Sequence, residues 1–262
     1  MQTIIRTVAV ASLALLGVAA QATAQADFHW SGQLAPGQTI EIKGVNGDVH
    51  ASPATGGMAE VTATKTARRS DPDAVRIEVV PHAGGVTICA VYPSGARRPL
   101  NTCEPGAGGN SSVRDNDTSV EFVVHVPAGV RLVGRTVNGS INGESLTGDV
   151  VAKTVNGSVR LSTRGTATAN TVNGSITATM GRADWAEGAS FKTVNGGITL
   201  TFSGELNADV AAETVNGRIT SDFPMTIAGT FSPRRLQGTI GAGGRALNLT
   251  TVNGSIKLLR AQ

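Results

Sequence analysis

The sequence predicts an all-β chain, a single-stranded β-solenoid (β-helix-like) of stacked ~20-residue coils behind a less regular, β-rich N-terminal cap. Three observations carry this expectation. The composition is rich in glycine and poor in aromatics, one corner motif recurs through the second half, and residues alternate with period two on both sides of that corner.

The chain has 33 glycines in 262 residues and is only 3% aromatic. Its core must therefore be assembled from Val, Ile, Leu and Ala in thin layers, without the large rings that usually supply buried area. Glycine among many Val and Thr residues disfavours helix and favours strands broken by tight corners.

The corner motif is Thr-Val-Asn-Gly, followed by a small or polar residue and then a β-branched one, beginning at Thr136, Thr154, Thr171, Thr193, Thr214 and Thr251. Its asparagines are Asn138, Asn156, Asn173, Asn195, Asn216 and Asn253, and its glycines Gly139, Gly157, Gly174, Gly196, Gly217 and Gly254. The first five corners follow one another at 17 to 22 residues and the last comes after 37. A worn copy, Leu236–Ile240, is expected to divide that long interval. An isolated copy centred on Asn46 stands near the start. This period suits solenoid coils, and the leucine-rich consensus is absent.

Aligned on asparagine, the copies expose the core. Leu132, Val150, Ala167, Ala189, Val210 and Leu247 form one column, and Gly134, Ala152, Ala169, Phe191, Ala212 and Leu249 a second. Beyond the corner, Ile141, Val159, Ile176, Ile198, Ile219 and Ile256 are all β-branched, each followed by a polar residue. Each unit thus reads strand, corner, strand. Stacked corners would let the asparagines hydrogen-bond as one ladder and the threonines as another. Glycine is expected at the corner because it accepts positive φ. Asn-Gly is also a hairpin signal, so the rival is an array of β-hairpins. Propeller blades need about twice this period, and separate hairpins do not require identical corners.

Residues 1–26 read as a signal peptide. Arg6 precedes an apolar run, and cleavage after Ala26 would leave a chain starting at Asp27. Residues 27–125 form an irregular β-rich part with strand-like runs at 61–66, 75–80, 85–92 and 120–126. Within it, 94–118 is polar and glycine-rich, expected as a mobile loop pinned by a disulfide. Pro127-Ala128-Gly129 leads into the regular repeats of 126–262. In an oxidising compartment Cys89 and Cys103 would close a structural disulfide; two free thiols are the alternative.

The repeated Thr-Val-Asn-Gly-Ser-Ile, the Gly148-Asp149-Val150 turn and the segment Val126-Pro-Ala-Gly-Val-Arg-Leu132 resemble the bacterial putative-adhesin β-strand-repeat family. That resemblance covers most of the chain after residue 26. It implies a β-solenoid in an exported or envelope protein, and transfers no catalytic residue.

The residues themselves offer little chemistry. His29, His50, His82 and His125 have no partners at metal-ligand spacing. No Gly-x-Ser-x-Gly elbow and no phosphate-binding loop occurs. A formal charge of +3 without a dense basic run argues against nucleic-acid binding. Arg135, Lys153, Asn170, Lys192 and Glu213 form a mixed outward stripe. Trp185 interrupts the repeats between Met180 and Gly188, either as an exposed contact residue or packed on the side of the stack.

These readings converge on a non-catalytic exported β-solenoid without cofactor or metal, with no transmembrane segment after signal cleavage. It would act as an adhesin-like or envelope scaffold toward an envelope or cell-surface component, or toward its own copies through the exposed final coil ending at Leu258-Leu259. The alternatives are a carbohydrate-active β-helix enzyme and an ice- or crystal-binding surface built on the threonine ladder.

Overall fold

The structure, a computed structural model, describes residues 28–94, 99–181, 183, 185, 188–227 and 232–261. The expected signal peptide lies outside the described residues.

The N-terminal strands are β1 (Phe28–Gln33), β2 (Thr39–Lys43), β3 (Val49–Pro53), β4 (Met58–Thr66), β5 (Arg76–His82), β6 (Gly85–Val91) and β7 (Ser119–Val126). The repeat region supplies β8 (Arg131–Arg135), β9 (Ile141–Leu146), β10 (Val150–Lys153), β11 (Val159–Thr163), β12 (Ala167–Asn170), β13 (Ile176–Met180), β14 (Ala189–Lys192) and β15 (Ile198–Phe202). It ends with β16 (Ala208–Asn216), β17 (Ile219–Ser221), β18 (Met225–Ile227), β19 (Arg235–Ile240), β20 (Ala246–Asn253) and β21 (Ile256–Arg260). A 3-10 turn at Pro72–Ala74 is the one helical element among the described residues.

The all-β expectation holds. The strands form two large mixed sheets, one ordered β1-β4-β7-β3-β9-β11-β13-β15-β21-β17 and the other β18-β19-β16-β20-β14-β12-β10-β8-β2-β6-β5. Their middles are parallel; antiparallel strands close one end of the first sheet and both ends of the second, while β17 ends the first sheet in parallel with β21. Each Thr-Val-Asn-Gly corner links a strand of one sheet to a strand of the other, so the flanking strands do not pair and no hairpin forms there.

The aligned columns become the core. Val150 registers with Leu132 and Ala167, and Ala169 with Phe191, all buried. Ile141, Val159, Ile176, Ile198, Ile256 and Ile219 line the facing sheet, also buried. Small residues opposite large ones fill the narrow interior: Phe191 is fully buried beside Ala169.

Two expectations are corrected. First, the chain does not stack its coils in sequence order. The last pair, β20 and β21, slots between β14/β15 and β16/β17. Leu258 and Leu259 therefore pair on an inner strand, and no final coil is exposed there. Second, the worn copy Leu236–Ile240 is not a corner. It is strand β19, antiparallel to β16 and β18. The described part of the segment 94–118 bonds to the body at several points. Asn101 Nδ2 donates to Tyr92 O (2.9 Å) and Ser112 O (2.8 Å), and Gly106 N donates to Glu41 Oε2 (2.8 Å). The disulfide Cys89–Cys103 ties its first part to β6, with a Cα separation of 5.7 Å.

The isolated Asn46 corner stacks directly on the first repeat, since β2 pairs with β8 and β3 with β9, all in parallel. Strands β6 and β7 continue both sheets beyond it. The described residues between β6 and β7 thus stand where a corner would, at one end of the line of Asn-Gly corners.

Candidate interaction surface

The corners define one long edge of the stack. In spatial order its asparagines are Asn46, Asn138, Asn156, Asn173, Asn195, Asn253 and Asn216. Each side-chain amide donates to the carbonyl oxygen of the preceding one. Asn138 donates to Asn46 (2.8 Å), Asn156 to Asn138 (2.7 Å) and Asn173 to Asn156 (2.8 Å). Asn195 donates to Asn173 (2.7 Å), Asn253 to Asn195 (2.7 Å) and Asn216 to Asn253 (2.8 Å). All donors point the same way, and Asn46 Nδ2 closes that end of the series on Thr118 O at 3.4 Å.

The glycine after each asparagine is required by proximity. A Cβ on Gly139 would lie 2.0 Å from Gly47 O, and the corresponding clash at Gly157, Gly174, Gly196, Gly254 and Gly217 is 2.0–2.1 Å. Only Gly47 has a φ (115°) well inside the left-handed region. Close stacking is the reason for glycine here, and the expectation of positive φ is corrected.

The threonines sit on the inner side of the corner. Thr136, Thr154, Thr171, Thr193, Thr251 and Thr214 are buried, and each hydroxyl donates to the glycine carbonyl of the preceding coil at 2.7–3.0 Å. A solvent-facing threonine ladder for ice or crystal binding is therefore overturned. The bonds that hold the corners are internal.

What the edge offers outward is valine beside amide. Val137, Val155 and Val172 are each 38% exposed and Val215 51%, whereas Val45 at the other end is buried. Val194 and Val252, at the same position of the remaining corners, are half-buried. On the adjoining sheet face Lys43, Arg135, Lys153, Asn170, Lys192, Thr250 and Glu213 lie in register, one per strand. A mixed column with four cations, a valine column and an amide column thus run side by side along the stack.

At the loop end the cations are engaged. Arg135 Nε bonds Glu41 Oε1 at 2.8 Å, and Thr87 Oγ1 donates to the other oxygen at 3.0 Å. Lys43 Nζ reaches the carbonyls of Glu104 and Gly108. Its burial under that loop, with Arg135 adding to the effect against Glu41 and Glu104, pushes its ammonium below the usual lysine range. Glu41 escaped the sequence reading because its alternation places it outward; the loop that buries it comes from far along the chain.

His50 lies 3.6 Å from Glu121 and 3.9 Å from Asp48, and His125 Nδ1 is 3.0 Å from Ser52 Oγ. Among the described residues no three His, Cys, Asp or Glu side chains form a metal-holding group. A cleft of ≈ 1000 Å³ lies between residues 66–70 and 115–119. Its Asp117 carboxylate is occupied by the backbone N–H groups of Arg68, Arg69 and Ser70. Trp185 packs into the core, its indole N–H on Ala246 O at 2.8 Å and its ring centroid 6.4 Å from that of Phe202. It is not an exposed platform.

Residues 133–259 match the Toastrack DUF4097 family model. The matched segment opens within β8 and closes within β21, so it takes in all six Thr-Val-Asn-Gly corners and leaves β1–β7 outside. No curated protein matches the chain. Among solved structures, a putative cell adhesion protein from Clostridium sporogenes is similar over 89% of this chain and 99% of its own, at 10% identity and TM-score 0.43. A putative adhesin from Bacteroides fragilis covers 89% of this chain and 96% of its own, at 11% identity and TM-score 0.37. Among the described residues no helix is long and apolar enough to cross a membrane.

Proposed function

We propose that this chain is a non-enzymatic, exported β-solenoid that holds an adhesin-like contact edge toward an envelope or cell-surface component. In this reading residues 1–26 direct export, 27–125 cap the stack and 126–262 supply its regular coils. The Cys89–Cys103 disulfide supports an oxidising compartment. The observation that carries the reading is the run of exposed valines Val137, Val155 and Val172 beside the asparagine ladder, bordered by Lys153 and Lys192. Apolar side chains in an ordered line on a rigid scaffold mark a contact surface. The amide column adds directional bonds, and the lysines add attraction to anionic polymers.

Two measurements test it. Val155→Thr with Val172→Thr keeps β-branched shape and removes the apolar contact, so binding of the purified protein to whole cells should fall while the melting temperature holds. Undiminished binding would remove the edge from the account. Protease added to intact producing cells should digest the protein, whereas protection until lysis would overturn the adhesin role.

A further inference from the structure

Eight Asn-Gly pairs occur in this chain, at Asn46, Asn138, Asn142, Asn156, Asn173, Asn195, Asn216 and Asn253. In a flexible peptide each is chemically labile. The glycine nitrogen attacks the asparagine Cγ, ammonia leaves from Nδ2, and a succinimide ring closes. Water then opens the ring to aspartate or isoaspartate. The reaction needs a glycine N–H free to lose its proton and a side-chain carbonyl open to water.

The ladder withholds both groups from six of its seven members. Gly47 N donates to Asn138 O (2.9 Å), Gly139 N to Asn156 O (3.0 Å) and Gly157 N to Asn173 O (3.0 Å). Gly174 N donates to Asn195 O (2.9 Å), Gly196 N to Asn253 O (3.0 Å) and Gly254 N to Asn216 O (3.0 Å). Each of these glycines is answered by the coil beyond it. In the same six corners the asparagine Oδ1 accepts from that coil's Nδ2. The eighth pair, Asn142-Gly143, lies within β9, held between β3 and β11 with Gly143 buried.

No further Asn-Gly corner lies beyond Asn216-Gly217; the segment 233–234 passes there instead, accepting from Thr214 N (2.8 Å, at Arg234 O) and Ile219 N (3.0 Å, at Pro233 O), and it leaves Asn216 and Gly217 exposed. Its Nδ2 donates back to Asn253, but among the described residues Gly217 N–H and Asn216 Oδ1 have no hydrogen-bond partner. Asn216 is exposed, and Val215 beside it is the most exposed valine of the edge. We infer that Asn216 is the chain's site of spontaneous deamidation, the one ladder position where native stacking leaves the succinimide reaction open. The winding order makes the choice. Had the coils stacked in sequence order, Asn253 would stand at the end and Asn216 would be protected.

The product adds one negative charge at the free end of the ladder, and a carboxylate there cannot donate to Asn253 Oδ1. Either isomer therefore detaches the terminal rung, and isoaspartate also lengthens the backbone at the corner.

The test is ageing of the folded protein in mildly alkaline buffer, followed by peptide mapping with fragmentation that separates aspartate from isoaspartate. Asn216 should convert at least about tenfold faster than any other Asn-Gly, the factor expected when one or two hydrogen bonds must first open at the others. In denaturant all eight should convert at comparable rates. Asn216→Ser should leave the folded protein without an early product. Conversion of another ladder asparagine as fast as Asn216, or an Asn216 as inert as the rest, would overturn the assignment.

Discussion

Asn253 donates its side-chain amide to Asn195 Oδ1 at 2.7 Å although 58 residues separate them, and Asn216, nearer in sequence, is one coil further away. The C-terminal coil is therefore an internal support. It gives β14 and β16 a common neighbour in one sheet, and β15 and β17 a common neighbour in the other.

Deleting residues 246–261 should consequently do more than shorten the stack. With β20 and β21 gone, β16 to β19 lose their link to the remaining coils, and limited proteolysis should remove the chain after β15. A stack wound in sequence order would lose only one end coil and keep β16/β17 protected, which the fragment masses would reveal.

The ladder's rungs should differ by position. Asn173→Ala removes two amide bonds, to Asn156 and from Asn195, and Asn216→Ala removes one. At about 0.5–1 kcal/mol for each exposed bond, the inner replacement should cost about twice the outer one. Chemical denaturation of the two variants against the parent chain measures that ratio, and equal losses would mean that the ladder bonds add nothing to stability.

The sequence disclosed the strands, the inward columns and the line of corners, because parity and an invariant motif dictate all three. It could not disclose the winding order. Identical Thr-Val-Asn-Gly corners make β14/β15 an equally good neighbour for β16/β17 and for β20/β21. What decides is β19, which folds back on β16 and occupies one of its edges, so that β16 has only one edge left for a parallel partner. A clue was present at Gln237, which stands where a corner would need asparagine. The outward valines were legible in the motif as well, since Val lies between an inward Thr and a ladder Asn. The burial of Glu41 was not, because it depends on a loop contact 65 residues away.

Glycine at the corner should be irreplaceable for a steric reason. In Gly174→Ala the new methyl would stand 2.1 Å from Gly157 O and 2.5 Å from its carbonyl carbon, both backbone atoms with no rotamer to yield. A loss of about 3 kcal/mol or more is expected, as for overpacked interior sites. Gly57, with open space around its Cα, is the control, and its replacement by Ala should stay within about 0.5 kcal/mol. Thermal melts of the two variants separate close stacking from a general preference for glycine.

Acid should loosen the far end of the molecule through Asp117. The Ser70 backbone N–H and hydroxyl, joined by the Arg69 and Arg68 amides, hold its carboxyl at about 2, below the ordinary 3.8. Because the folded value is the lower one, the contribution is complete above the ordinary value and is lost as pH falls through about 2. The amide-proton signals of Arg68, Arg69 and Ser70 should therefore shift together, with a midpoint near that of the carboxyl. In Asp117→Asn the three signals should stay flat over the same range, since the side-chain oxygen that remains does not titrate. Independent midpoints for the three amides, or a common one near the ordinary carboxylate value, would mean that Asp117 does not hold this turn.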